Sequence, residues 1–141
     1  SKAAGEFNDK FNLTIRTSTI GHEINTKYGL LEWFLSLNDC CEGYQKAYFN
    51  GLPTYYFSKI LLKVLVIHKI TGLIHISGFK INKNKLLKII NKAYHKKIKI
   101  IKSNSIKIDR TLNNSKLKRN IKSINKWDNL IYNMKKNYDQ N

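Results

Sequence analysis

The sequence is poor in several residue types that folded proteins use freely. Its 141 residues contain one proline, two cysteines and seven glycines, together with only four alanines and three arginines. Isoleucine, lysine and asparagine instead number 19, 23 and 17. The over-used residues have A/T-rich codons and the under-used ones G/C-rich codons, so a mutational bias in an organellar or very A/T-rich nuclear genome accounts for the skew. Because lysine replaces arginine, phosphate contacts would be point charges rather than bidentate forks.

Sequence motifs for metal, nucleotide or nucleophilic chemistry are missing. Cys40 and Cys41 are adjacent and alone, which gives neither a disulfide framework nor a zinc site. The four histidines lack the spacing of metal ligands, and no P-loop or dinucleotide fingerprint occurs. Gly72-Leu73-Ile74-His75 is similar to part of a homing-endonuclease helix motif but lacks its acidic residue. We therefore predict a protein that is not an enzyme, with no metal, no cofactor and no small-molecule substrate.

The chain also lacks a long uninterrupted apolar run. Its most apolar stretch, residues 60–76, contains Lys63, His68, Lys69 and His75. A membrane-spanning helix needs about 20 consecutive apolar residues. No membrane span is therefore predicted.

Negative charge is scarce, and its distribution is uneven. Twenty-six Lys and Arg stand against nine Asp and Glu, for a net charge of +17. Residues 43–108 hold fourteen lysines and no acidic residue, whereas residues 1–42 hold four basic and six acidic ones. Lysines without internal carboxylate partners either repel one another or meet an external anion. Since 42% of residues are hydrophobic, we predict a folded basic protein whose middle segment contacts a polyanion, nucleic acid before an anionic membrane.

The pattern of apolar residues predicts an α+β fold with antiparallel strands. The expected subdomain has the order helix, strand, helix, strand, and is followed by a C-terminal amphipathic helix. We predict an N-terminal arm at 1–27, a basic α+β domain at 28–112 and the C-terminal helix at 113–141. The expected elements are a short strand at 11–15, a helix at 28–39, a strand and turn at 46–53, a helix from 54 or 58 to 71, a strand at 73–81, an ambiguous segment at 85–94, two short strands around Ser103-Asn104, and a helix at 115–138.

The order of motifs in residues 28–108 resembles the bacterial-type small-subunit ribosomal protein S-eight family. In that family a Ser-Lys-Leu opens the second helix, which ends in Glu-Gly-Phe-Ile before a Phe-containing strand. Here Ser58-Lys59-Ile60 is followed, fourteen residues after Ser58, by Gly72-Leu73-Ile74, with Phe79 beyond and Pro53 upstream. Leu37-Asn38-Asp39 lies near the family's Ile-Arg-Asn-Ala, and the segment 85–90 with Tyr94 is similar to its strand ending in Leu-Lys-Tyr.

The resemblance implies a structural constituent of the small subunit of an organellar ribosome, in a mitochondrion or alternatively a plastid. Its partners would be small-subunit rRNA, bound in the central domain, and neighbouring ribosomal proteins. The alternatives are a lineage-specific bridging protein and a transient RNA-processing factor. The predicted RNA-contacting residues are Ser58, Lys59, Lys63, Lys96, Lys97, Lys99, Lys102, Ser103, Asn104, Ser105 and Lys107. The predicted protein-docking stripe on the C-terminal helix is Leu117, Ile121, Ile124, Trp127 and Ile131.

Overall fold

A computed structural model describes residues 2–66, 70–118 and 125–140 of the chain. Seven strands and five α-helices alternate along these residues, after a short 3-10 helix at Lys2–Gly5. The strands are β1 (Leu13–Thr17), β2 (Thr19–Ile20), β3 (Cys40–Phe49), β4 (Leu52–Pro53), β5 (Gly72–Ile76), β6 (Ile81–Asn82) and β7 (Lys99–Asp109). The helices are α1 (Leu30–Ser36), α2 (Thr54–Val66), α3 (Lys83–Ala93), α4 (Ser115–Lys118) and α5 (Trp127–Tyr138).

Two of the sheets are pairs of parallel strands. Their first strands, β1 and β2, are consecutive along the chain. β1 pairs with β5 from Leu13 opposite Gly72 to Thr17 opposite Ile76. After Ser18 the chain continues as β2, which pairs in parallel with β4. Parallel partners need a crossover connection rather than a tight hairpin. The chain accordingly passes through α1, β3 and α2 between β1 and β5.

The third sheet is built on β3, the long central strand, with β6 and β7 on its two sides. β7 runs parallel to β3 and β6 runs antiparallel to it. The register between β3 and β7 shifts after Tyr44, which faces Ser103, so that Lys46 faces Lys107. Like charges directly opposite each other destabilise the pairing of two strands. The two lysines also raise the positive potential along the outer strand.

The helices cover the sheets with apolar faces. α3 begins where the side chain of Asn82 accepts a hydrogen bond from the backbone N–H of Lys85 at 2.8 Å, a standard N-cap. Trp127 of α5 is 5% exposed, and its indole N–H donates to the carbonyl of Phe79 at 2.7 Å. Leu31, Phe34, Leu52, Ile76, Leu86, Leu87, Ile90, Leu130 and Ile131 are among the fully buried side chains of the core.

A buried polar junction fastens the turn after β3 to the segment after β5. The Asn50 side-chain amide donates to Ser77 Oγ at 3.1 Å and to the Leu112 carbonyl at 2.9 Å. Its own carbonyl oxygen accepts from the Leu112 N–H at 2.9 Å. Asn114 donates to the Ser77 backbone carbonyl at 2.7 Å. Each buried polar group therefore has a partner, which a low-dielectric interior requires.

The expected α+β class is confirmed, but the expected antiparallel arrangement is not. Of the four strand pairs in the described residues, only β3 with β6 is antiparallel. The helices between these strands act as crossovers, whereas antiparallel strands can be joined by tight hairpins. The strand that starts the chain pairs with one about 60 residues later, and local patterns carry no information on such pairing.

Several individual elements also differ from the predictions. Residues 85–94, ambiguous by pattern and similar to a strand in the ribosomal family, form α3. The two short strands expected around Ser103-Asn104 form one strand, β7, because the register shift absorbs the irregularity. The helix expected at 115–138 is described as α4 and, from Trp127, α5; the residues between 118 and 125 lie outside the described part. The helix predicted to end at 71 is described as α2 to Val66, and Gly72, which has a left-handed φ of 74°, begins β5.

The domain limits at residues 27 and 112 stay predictions. Within the described residues, β1 of the predicted arm pairs with β5. α5 likewise packs against α2 and α3. None of the described helices is long and apolar enough to cross a membrane.

Gly51 offers a direct test of the tight turn after β3. A Cβ built there would lie 2.4 Å from the backbone carbonyl oxygen of Ser18, which cannot move aside as a side chain can. We expect Gly51→Ala to lower the free energy of unfolding by about 1–3 kcal/mol through overpacking, measured by urea denaturation. Gly5→Ala is the matched control, because a Cβ at Gly5 meets nothing within 4 Å. Equal unfolding midpoints for the two variants would contradict the close approach.

The ion pair at the end of β7 has a pH signature. Lys80 Nζ lies 2.6 Å from Asp109 Oδ2, and this contact, with two hydrogen bonds from Thr111, lowers the pKa of the Asp109 carboxyl to about 2. Because the folded pKa is depressed, the stabilisation is present above pH ~4 and is lost as pH falls toward 2. An NMR titration of the carboxyl should show a raised pKa in Lys80→Met and no change in Lys85→Met. An unchanged titration in Lys80→Met would exclude the pair.

Candidate functional site

A groove opens at the carboxyl ends of the parallel strands β2 and β4. β2 ends at Ile20 and is followed by Gly21 and His22, and β4 ends at Pro53 and is followed directly by Thr54. The crevice outside the carboxyl ends of parallel strands is the usual ligand site of open α/β sheets. We call this feature the β2–β4 groove.

The groove consists of two adjoining cavities that share His22, Glu23 and Thr54 in their walls. The larger holds about 400 Å³ and the smaller about 220 Å³, together in the range of small-molecule sites. Besides the shared residues, Ile24, Tyr55, Met134, Asn137 and Tyr138 line the larger one, and Thr19, Ile20, Gly21, Gly29, Leu30, Leu31 and Phe49 line the smaller. The walls therefore combine aromatic faces with hydroxyl, amide, imidazole and carboxylate groups.

The loop between β2 and α1, residues 22–29, forms one wall, and we call it the groove loop. Glu23 organises it from within, since its carboxylate accepts from the Thr26 hydroxyl and from the Tyr28 N–H, both at 2.8 Å. A Cβ at Gly29 would crowd Glu23 Oε1, the end of a flexible side chain, so the carboxylate would have to shift. Ile24 and Tyr28 are 98% and 93% exposed. The loop thus presents two large apolar side chains to solvent beside a polar groove.

His22 joins the loop to the rest of the chain through both ring nitrogens. Nδ1 lies 2.6 Å from Glu32 Oε1 on α1, and Nε2 lies 2.8 Å from the Tyr94 hydroxyl at the end of α3. Since a carboxylate only accepts, we assign the Nδ1 proton to the bond with Glu32. The ring also stacks on Tyr138 of α5, with centroids 3.6 Å apart. One imidazole therefore connects three helices at the groove.

Burial and charge around this cluster keep its tyrosine neutral. Burial raises the pKa of the Tyr94 phenol far above its usual value, and the nearby carboxylates of Asp139 and Glu32 raise it further. Two ammonium groups lie just outside the groove walls. Lys59 Nζ is 5.5 Å from the centroid of the Tyr55 ring, and Lys135 Nζ is 5.9 Å from that of Tyr94. Cations are therefore available near a groove whose immediate walls are not basic.

Another cavity, of about 490 Å³, lies between the end of α3 and α5. Its walls include Lys92, His95, Asp128 and Tyr132. None of its lining residues lines the β2–β4 groove. No group of three His, Cys, Asp or Glu side chains that could hold a metal ion is found in the described part of the chain.

The structure divides the predicted phosphate-contacting residues between two regions. Ser58, Lys59 and Lys63 lie exposed on α2, which packs against α5, β2 and β4. The other eight lie on the loop after α3 or on β7, which packs against β3 and α3. Of these residues, Lys59 approaches the groove through its contact with Tyr55. The remaining phosphate contacts stay predictions about anion binding.

The residues of the predicted docking stripe whose side chains the structure describes lie in the core of this chain. Trp127 and Ile131 are buried in this chain's own core, against the helices and strands around them. Packing within the chain thus replaces docking on another protein for these two. Ile121, Ile124 and the Leu117 side chain lie outside the part of the chain that the structure describes.

Sequence reasoning missed the groove and its residues. His22 was considered only by its spacing to other histidines, whereas its partners are 10 and 72 residues away. One signal was present: His22 lies two residues after Thr19-Ile20, a β-branched pair that forms β2. A histidine that directly follows a strand is a candidate wherever that strand proves to be parallel.

Comparison with known proteins identifies the fold. No protein-family model matches the sequence, and no curated protein matches it either. Among solved structures, it is similar to dTDP-4-dehydrorhamnose reductase from Bacillus anthracis in complex with NADP, with a TM-score of 0.72 and 11% identity over 89% of this chain and 48% of that chain. It is also similar to UDP-N-acetylglucosamine 4-epimerase from Methanobrevibacter ruminantium in complex with UDP-N-acetylmuramic acid (TM-score 0.63, 16% identity, 91% and 46% covered).

A third similar structure is dTDP-glucose 4,6-dehydratase from Bacillus anthracis in complex with NAD, with a TM-score of 0.65 and 13% identity over 92% of this chain and 45% of that chain. The chain therefore has the fold of part of these Rossmann-like enzymes and spans about half of their length. Identities this low establish the fold alone.

These similarities correct the ribosomal interpretation. The chain does not have the fold expected from the S-eight family, so that resemblance is wrong, and the structural neighbours are enzymes. The predicted ribosomal role is therefore wrong as well. The same holds for the predictions of RNA as a partner, of a protein that is not an enzyme and of no small-molecule substrate. The alternatives of a bridging protein or an RNA-processing factor gain no support. The mitochondrial or plastid localisation stays a prediction.

Proposed function

We propose that this chain binds a nucleotide-linked sugar in the β2–β4 groove, as the substrate-binding half of an NAD(P)-dependent reductase, epimerase or dehydratase. The observation that carries the proposal is the position of the groove. It lies at the carboxyl ends of parallel strands in a chain whose fold matches half of three enzymes of this kind. Fold similarity alone never assigns a function, and the chemistry of the groove supplies further support.

The chemistry of the groove suits a hydroxyl-rich ligand. The Thr54 hydroxyl, the Asn137 amide and the Glu23 carboxylate offer donors and acceptors beside the aromatic faces of Tyr55 and Tyr138. A few placed polar groups among apolar walls are typical of small-molecule sites. Lys59 and Lys135 at the margin supply positive charge for a diphosphate without placing it against the sugar.

The dinucleotide does not fit the residues of this chain. A pyrophosphate in this class of fold needs a Gly-x-Gly-x-x-Gly turn that leaves backbone N–H groups open at a helix start. The connection from β2 to α1 has Gly21 and Gly29, but the Thr54 hydroxyl fills the space at Gly21 and the Glu23 carboxylate fills that at Gly29. We therefore assign no NAD(P) contact to the described residues and derive no hydride-transfer step from them.

The unpaired edge of β1 supports completion by a second half. In the described residues, β1 and β5 form a two-stranded parallel sheet. All-parallel sheets occur almost only in larger α/β sheets that are covered on both faces. A dinucleotide-binding half that adds its strands to β1 would complete such a sheet.

Binding measurements on the full chain test the proposal. We expect UDP-N-acetylglucosamine or dTDP-glucose to shift the backbone NMR signals of His22, Glu23 and Thr54, and NADH and NADPH to leave them unchanged. The result follows from a groove built for the substrate and a chain without a dinucleotide turn. Absence of any shift with both nucleotide sugars up to ~10 mM would refute the proposal, as would shifts confined to residues outside the groove.

Lys59 provides a second test, matched by a lysine one turn away on the same exposed side of α2. Lys59→Met should weaken nucleotide-sugar binding about three- to tenfold, because a charge-assisted contact to the diphosphate is lost. Lys63→Met should bind as the unaltered chain does. Calorimetry at low and moderate salt should also show a smaller salt dependence for Lys59→Met. Equal affinities for the two variants would remove Lys59 from the site.

A further inference from the structure

The groove loop is attached to the fold by an unusual set of contacts around one side chain. The His22 ring is 12% exposed and the Glu32 side chain 18% exposed, so their contact is largely shielded from water. The three partners of His22 come from α1, from the end of α3 and from α5. Those elements are far apart in sequence, and the histidine is where they meet.

This arrangement does not favour an acid–base role for His22. A general base must be within hydrogen-bond reach of the proton that it takes from the substrate. Here one ring nitrogen is bonded to Glu32 and the other to Tyr94. The Tyr94 hydroxyl is held neutral by burial and by neighbouring carboxylates, so it does not act as a nucleophile. The three groups form a hydrogen-bonded chain in which both ring nitrogens of His22 already have a partner.

We infer that Glu32, His22 and Tyr94 form a positioning relay that holds the groove loop in its ligand-binding conformation. This inference rests on the proposed function, because it treats the β2–β4 groove as the binding site. His22 occupies the first position of the loop, and Glu32 lies on the helix that directly follows it. Tyr94 fixes the ring from the opposite side. The loop is therefore tied at its start to α1 and α3.

The inside of the loop explains why such an anchor is needed. Its own organisation comes from the Glu23 carboxylate, and residues 24–28 are exposed. Ile24 lines the larger cavity and is almost completely exposed to solvent. Exposed segments with few buried contacts open easily. Ordering the loop before a ligand arrives removes part of the conformational entropy that binding would otherwise lose.

Three variants separate positioning from simple stabilisation. Tyr94→Phe removes only the hydroxyl that bonds to Nε2, His22→Asn also removes the stacked ring, and Glu32→Gln keeps an oxygen that accepts from Nδ1. Tyr132→Phe is the matched control, since Tyr132 is an exposed tyrosine on α5, outside the groove. The measurements are amide hydrogen exchange along the full chain and the dissociation constant for UDP-N-acetylglucosamine.

We expect Tyr94→Phe and His22→Asn to speed exchange at the amides of residues 23–28 about tenfold, while the amides of β3 keep their protection. The dissociation constant should rise by a similar factor. Glu32→Gln should raise both quantities less, because its neutral amide oxygen is a weaker acceptor than the carboxylate, and Tyr132→Phe should stay within about twofold of the unaltered chain. Faster exchange throughout the chain would instead make the relay an ordinary stability element and overturn the inference. Unchanged loop exchange in Tyr94→Phe would overturn it too.

The two proposals can fail separately. If the unaltered chain binds no nucleotide sugar, the proposed function is wrong, and the exchange of residues 23–28 still decides whether the relay holds the loop. If Tyr94→Phe weakens binding without any change in loop exchange, the hydroxyl contacts the ligand directly. That result would refute positioning and leave the proposed function intact.

Discussion

The parallel pairing of β1 with β5 is the constraint on which the rest of the structure depends. It brings Leu13 beside Gly72 and Thr17 beside Ile76, and it directs the chain into β2 and its parallel partner β4. Because β2 and β4 are parallel, their carboxyl ends lie side by side, and the segments that follow them line one groove. The β2–β4 groove exists because of that direction, and no local feature of its loops would produce it.

A second layer of contacts keeps the strand ends in register. The junction of Asn50, Ser77, Leu112 and Asn114 is buried and fully hydrogen-bonded. Removing one partner would leave others unsatisfied, which costs more than the bond contributes. The same logic applies nearer the surface, where Glu32, His22 and Tyr94 satisfy one another. The first network joins the segments that follow β3, β5 and β7, and the second joins the start of the groove loop to α1 and the end of α3.

The surplus of lysine acquires a different meaning in this fold. Most of the predicted phosphate-contacting residues lie on β7 and the loop before it. Lys107 of β7 faces Lys46 of the neighbouring strand β3. Lysines on an outer strand also discourage pairing with other chains. Lys59 differs from them because the ring beneath it lines the groove. The net charge is a property of the whole protein, whereas the proposed function depends on the position of the Lys59 ammonium group relative to the β2–β4 groove.

From the sequence alone, the mixed helical and strand content, the helices around residues 30–36 and 54–66, the turn at Asn50-Gly51 and an apolar face on the last helix could be predicted. Each of these depends on residues within a few positions of one another, where periodicity and turn chemistry act. The partners of β1, the use of Trp127 in the chain's own core and the meeting of His22 with Tyr94 could not. They join residues that are 48 to 72 positions apart, and only the path of the folded chain brings such residues together.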